Sequence, residues 1–153
     1  MQEIQAPHQI PDEGRKLFLA GSIEMNSAEE WQSDVLRQLA NTDWIVLNPR
    51  RGSWDSSWEQ RIEQPEFKEQ VEWELAGLEC ADKILLYFDP RTKSPISLLE
   101  LGLFAKSGKL LVVCPDGFWR KGNVDIVCQR YSIAQASTLE EALKRLCPDP
   151  KHL

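Results

Sequence analysis

Histidine is scarce in this chain of 153 residues. The two present, His8 and His152, lie in the terminal segments, so chemistry built on an imidazole base has little footing. There is no Ser-His-Asp set, no P-loop and no Gly-x-Gly-x-x-Gly turn, and with them go the usual sequence marks of acyl transfer, triphosphate chemistry and dinucleotide binding. Four cysteines, Cys80, Cys114, Cys128 and Cys147, are scattered without Cys-x-x-Cys spacing. That pattern argues against zinc and implies no disulfide framework. A basic excess is also missing, since the net charge is −6 and the isoelectric point about 5.0. That balance argues against a broad cationic surface for polymeric nucleic acid, while a small anion held by backbone amides remains allowed. No apolar run reaches the length of a membrane span, and residues 1–11 have no signal-peptide character. The expectation is a protein of the cytoplasm, without metal, organic cofactor or membrane partner. Repeats and low-complexity tracts are absent as well.

What is present is an alternation of short apolar runs and amphipathic segments. Lys16 to Ala20, Trp44 to Leu47, Lys83 to Phe88 and Lys109 to Cys114 read as buried strands, and Tyr131 to Ala134 as a short fifth. Between them the spacing predicts helices. Ser27 with Glu30 makes a capping-box pattern ahead of Trp31, Val35, Leu36 and Leu39. Glu66 to Ala81 repeats Val71, Leu75 and Leu78 on one face, another helix begins near Ser97, and Val124 to Val127 reads as helical. Thr138 with Glu141 caps a last helix running to Leu146. Residues 1–14 read as a flexible arm, 15–147 as one domain and 148–153 as a tail. Strands alternating with helices imply an α/β fold, a single doubly wound domain of flavodoxin or Rossmann-like type with a parallel sheet of about five strands. The polar stretch from Asn48 to Pro65, with Trp54 and Trp58, is long for a connection in a compact domain.

Glu100 lies among apolar neighbours just past the strand that ends at Asp89-Pro90. Ligands of open α/β sheets bind at such strand ends. Apolar surroundings raise a carboxyl pKa, while a helix N-terminus favours its ionised form. A partly desolvated carboxylate in a cleft is suited to covalent attack on a sugar carbon. The plainer alternative is a solvated first-turn glutamate serving the helix dipole.

Phe18-Leu19-Ala20-Gly21-Ser22-Ile23, then Asn48-Pro49-Arg50-Arg51, then Glu72-Trp73-Glu74, then Glu100-Leu101-Gly102 follow one another along the chain. In that order the four pieces resemble the nucleoside 2-deoxyribosyltransferase-like superfamily, over roughly residues 16–134. The resemblance implies that Glu100 is a nucleophile attacking the anomeric carbon. It places the family's acidic partner on Glu74, where relatives usually carry aspartate. The family's aromatic hydroxyl falls on Phe18, which has none. Ser94 stands where nucleoside-specific transferases carry aspartate and is similar to the serine of nucleoside-monophosphate N-glycosidases. That branch has an arginine after the Gly-Ser turn, and this chain has Glu24. The resemblance further implies a homodimer or higher oligomer. The segment Asp116 to Asp125, two large aromatics beside polar groups after a strand end, reads either as an interface or lid, with Asn123 or Asp125 reaching toward a partner's sugar pocket, or as a cover for its own core through Trp119.

The remaining candidates each carry two readings. Gly21 and Ser22 either wrap a sugar or phosphate with backbone amides or form a tight turn. Asn48 belongs to the same strand-end motif as Arg50 and Arg51, which either anchor an anion or stay solvated. Trp54 stacks on a base or packs its loop. Asp89 is a third acidic candidate, and Glu74 is otherwise a solvated helix carboxylate. Two acids 26 residues apart, on helices flanking one strand, can converge as the pair that glycosidic cleavage requires. The function implied is cleavage or transfer at the N-glycosidic bond of a nucleoside, deoxynucleoside or nucleotide. A non-catalytic sensor of a nucleotide-like ligand and an NAD N-glycohydrolase are the alternatives.

Overall fold

A computed structural model of the chain describes residues 1–23 and 30–147. Ser27 of the expected capping box, Glu24, His152 and the 148–153 tail fall outside the described residues. The elements are β1 (Gln2–Gln5), β2 (Lys16–Gly21), α1 (Trp31–Gln38), β3 (Ile45–Asn48), α2 (Pro65–Cys80), β4 (Lys83–Tyr87), α3 (Pro95–Phe104), β5 (Leu110–Val113), α4 (Lys121–Arg130), β6 (Ala134–Ala136) and α5 (Leu139–Leu146). The sheet runs β1-β3-β2-β4-β5-β6, and every neighbouring pair is parallel.

Alternation along the central strands divides the core in two. Phe18 and Ala20 of β2, with Leu86 of β4 and Val112 of β5, face Trp73 and Leu78 of α2, Leu101 of α3 and Val124 of α4. Leu17, Leu19, Leu85 and Val113 face the other way, onto Trp31 and Val35 of α1 and Leu143 and Leu146 of α5. Helices therefore cover both faces, as a fully buried parallel sheet requires. The fold is α/β and doubly wound, of the flavodoxin-like kind. After β2 the chain passes to one face and after β4 to the other, so a crevice opens between these two strand ends. Gly21 closes β2 at φ 138°, and a Cβ there would lie 2.2 Å from the carbonyl oxygen of Tyr87. Only glycine allows that approach.

Several expectations need correction. Among the described residues the sheet has six strands rather than about five, because residues 2–5 of the expected arm pair with β3. A single apolar residue, Ile4, hides this strand from a periodicity reading. It is fixed by main-chain bonds such as Ala6 N–H to the Asn48 carbonyl at 3.1 Å. The strand expected at 131–134 begins at Ala134. Ser132 sits at φ 54°, and Ile133 N–H donates to the Cys128 carbonyl at 2.9 Å, a Schellman closure that occupies those residues in ending α4. The buried face of α2 is Gln70, Trp73, Gly77 and Leu78, not the stripe through Leu75, which is 37% exposed. The cap of α5 is as expected, with Glu141 N–H donating to Thr138 Oγ1 at 3.1 Å.

Candidate active site

The switch point carries a knot of hydroxyl groups. Ser22 Oγ lies 2.9 Å from Thr92 Oγ1 and 2.6 Å from Ser94 Oγ, and the latter two are 2.6 Å apart. All three residues are buried. Asp89 N–H donates to Ser22 Oγ at 2.8 Å, and Thr92 Oγ1 donates to the Asp89 carbonyl at 2.9 Å. These bonds stitch the end of β2 to the loop between β4 and α3. Ser94 takes a left-handed conformation at φ 46° and precedes Pro95 at the first position of α3. Asp89 is 1% exposed. Its carboxylate accepts from Arg91 Nε at 3.1 Å, Arg91 Nη2 at 2.8 Å and the Arg91 main-chain N–H at 2.9 Å. Gly21, Ser22, Asp89 and Ser94 thus come together, and Thr92 and Arg91 join them. In the sequence Thr92 is legible only as a turn residue two places before Ser94.

Glu74 and Glu100 form the second part. Both are partly buried, one on α2 and the other on α3, on the same face of the sheet. Burial raises Glu74 above the ordinary carboxyl range, opposed by a hydrogen bond from Gln70. Burial, with the charge of Glu74 adding to it, pushes Glu100 up to about 8. The two carboxyls therefore sense one another, and their mutual repulsion disfavours double ionisation. Among the described residues no group donates a hydrogen bond to the Glu100 carboxyl. The helix dipole gives it little, because α3 begins at Pro95. That start is two residues earlier than the sequence suggests, which leaves Glu100 beyond the first turn, where the dipole acts.

Other candidates are placed elsewhere or already engaged. Phe18 is fully buried, packed on Trp73 at 6.1 Å and against Gly77 of α2. Its side chain points into the core rather than at a ligand, which corrects its assignment to the binding site. Asn48 Oδ1 accepts from Arg50 N–H at 3.1 Å while its Nδ2 donates to Glu3 at 3.0 Å, a turn-holding arrangement. Arg50 Nε donates to Gln32 Oε1 at 2.9 Å. Arg51 pairs with Glu69 at 2.9 Å and lies over the Trp58 ring, which meets Trp54 edge-on at 5.0 Å. The long loop is thus packed on itself and on α2. Asn123 is exposed on α4. Asp125 pairs with Lys121 at 3.2 Å and accepts from Gln135 at 3.0 Å, in a groove of about 630 Å³ beside β5 and β6 that neither Glu74 nor Glu100 lines. Cys114 and Cys128 line the same groove, and burial pushes both thiols up to about 11, so neither is a thiolate at neutral pH. Among the described residues, no group of three or more His, Cys, Asp or Glu is arranged to hold a metal. None of the described helices is long and apolar enough to cross a membrane.

Gln70 carries no mark in the sequence that singles it out. Its Nε2 donates to Glu74 Oε1 at 2.9 Å and to the Pro49 carbonyl at 2.8 Å, and the one available signal is its spacing, a helical turn before Glu74.

Among solved structures, the chain is similar to the CMP N-glycosidase BcmB of Clostridium botulinum, with 14% identity and a TM-score of 0.53 over 86% of this chain and 98% of that one. At that identity the likeness is one of fold. No curated protein matches the chain in sequence. The family described as nucleoside 2-deoxyribosyltransferase like matches residues 14–118. That span takes in β2 to β5, the hydroxyl knot and both carboxyls, and the chain belongs to this nucleoside 2-deoxyribosyltransferase-like family.

Proposed function

We propose that the protein cleaves or transfers at the N-glycosidic bond of a nucleoside, deoxynucleoside or nucleotide, through Glu100 and Glu74. The observation that carries this reading is the pair itself, two desolvated carboxyls raised together on helices beside the switch point. Repulsion favours one proton shared between them, which is the state a displacement with acid assistance needs. The productive microstate has that proton on Glu74. A Glu100 carboxylate oxygen then bonds to the anomeric carbon as the carbon–nitrogen bond breaks. The bonding electrons leave with the base, which takes the proton of Glu74. Water or a second base next attacks the same carbon, gives its proton to Glu74, and returns the ester electrons to Glu100.

Incubation with nucleosides, deoxynucleosides, monophosphates and NAD, scored by free base, tests the activity. Release from at least one, abolished by Glu100→Gln with the fold intact, is the expected result. A 2′-fluorinated analogue of that substrate should leave a covalent adduct on Glu100, read by peptide mass. A second reading, a sensor that binds such ligands without turnover, is favoured by one observation. Glu100, raised to about 8, is largely protonated at neutral pH and in that state is no nucleophile. Tight binding without base release from any member of the panel would establish that reading instead.

The 5′-phosphate contributes little to recognition in this proposal, although the structural neighbour is a glycosidase of CMP. Arg50 and Arg51 are engaged with Gln32 and Glu69, and Arg91 with Asp89. Each nucleoside and its monophosphate should therefore differ less than tenfold in kcat/KM, about 1.4 kcal/mol. A hundredfold preference for the monophosphate would mean that the hydroxyl knot at Ser94 is a phosphate seat.

A further inference from the structure

The Gln70 amide can face only one way. Gln70 is 6% exposed and sits one turn before Glu74 on α2, so the two side chains meet at the i, i+4 spacing. Its Nε2 carries two hydrogens, and both are used. One goes to the Pro49 carbonyl at 2.8 Å and the other to Glu74 Oε1 at 2.9 Å. Turning the amide over would set its oxygen against the Pro49 oxygen, two acceptors without a proton between them. The orientation found has a cost, because among the described residues the buried Gln70 Oε1 has no hydrogen-bond partner. A buried acceptor without a donor is destabilising, and an apolar side chain of the same length would avoid that penalty. What the amide supplies in return is a fixed N–H at one oxygen of Glu74.

We propose that Gln70 is a positioning residue, which holds Glu74 Oε1 as an acceptor and leaves Oε2 as the oxygen of that carboxyl that carries and delivers a proton. The inference rests on the acid role given to Glu74 above. Without the amide, the carboxyl can turn about its last bond and the proton can sit on either oxygen. With it, the donor direction is set before a ligand arrives, which is the useful part of preorganisation. Donation to the ionised form also opposes the upward push of burial. Among the described residues, the group whose charge acts on this carboxyl is the other member of the pair. Glu100 opposes it from α3, and on its own helix Glu69 is paired with Arg51 of the preceding loop.

The test is a carbon-13 titration of the glutamate carboxyls in the free protein, with the Glu74 signal assigned by its loss in Glu74→Gln. Gln70→Met keeps the length of the side chain and removes the donor. The Glu74 midpoint should rise by about one pH unit, a tenfold gain in proton affinity. In the active protein kcat should fall with KM nearly unchanged, and the Glu74 limb of the pH–rate profile should move by the same interval. Should Gln70→Met fail to fold, Gln70→Asn withdraws the amide by one methylene and is read in the same titration. A Glu74 midpoint unmoved in the folded variant overturns the proposal. The titration needs no turnover. A protein without glycosidic activity would still show whether Gln70 governs the Glu74 proton, so failure of the positioning role and failure of the proposed activity are told apart.

Discussion

Burial and the neighbouring Glu74 charge hold Glu100 near 8, against 4.5 for an ordinary glutamate. The folded chain therefore keeps a proton that the unfolded chain loses as pH rises through that window. The folded state binds more protons there, so stability falls from about pH 4.5 to about pH 8 and levels off above. Glu100→Gln removes the penalty. Its melting temperature should exceed that of the unaltered protein at pH 8 and match it at pH 4, and an equal difference at both pH values would contradict the raised pKa. The same residue sets an upper limit on activity, since loss of the shared proton takes away the acid. kcat/KM should decline above about pH 8, and a profile still flat at pH 9.5 would mean that the pair carries no essential proton. Both carboxyls are legible in the sequence, Glu100 from its apolar setting and Glu74 from the family motif. Gln70 is not, because an amide in a helix has no pattern of its own until a buried carbonyl such as that of Pro49 fixes its orientation. Phe18 misleads for a related reason. A strand residue beside a binding crevice and one beneath a helix look alike in sequence.

Among the elements, the central strands are readable because a strand covered on both faces must be apolar throughout, as Leu17 to Ala20 are. Edges follow other rules. β1 and β6 are held by main-chain pairing with β3 and β5, the closure of α4 sets where β6 begins, and neither edge leaves an apolar run. The α2 face lies one step away from its leucine stripe, since its seat is cut by Gly77. A Cβ at Gly77 would come within 2.7 Å of Phe18 Cε2, so this glycine sets how near the helix lies to β2. Gly77→Ala should cost about 1–3 kcal/mol as overpacking. Combined with Phe18→Leu, the loss should be smaller than the sum of the two single losses, because the clash goes with the ring. Additive values from denaturant unfolding would place the strain elsewhere.

At the scale of the whole molecule, α3 turns Ile96, Leu99 and Leu103 outward at 58%, 58% and 57% exposure. The stripe at i, i+3 and i+7 lies on the helix that carries Glu100, a large apolar face for a lone domain to leave open. We propose that a second copy covers it, giving at least a homodimer with the carboxyl pair close to the seam. Light scattering should report twice the chain mass or more, and Leu99→Lys should reduce it to a single chain with unchanged circular dichroism. A fully active single chain before any substitution would remove the idea.

The pairing of β1 with β3 has a consequence in time. Gln2 lies opposite Ile45, so β1 has no place in the sheet until more than forty residues after it have been made. During synthesis β1 waits for β3, and it then closes the side of the sheet that β3 would otherwise leave bare. A chain trimmed of residues 1–6 would present that row of main-chain groups to solvent and to other molecules. Faster deuterium uptake at residues 45–48 would mark the opened edge, and concentration-dependent association would be its outward sign.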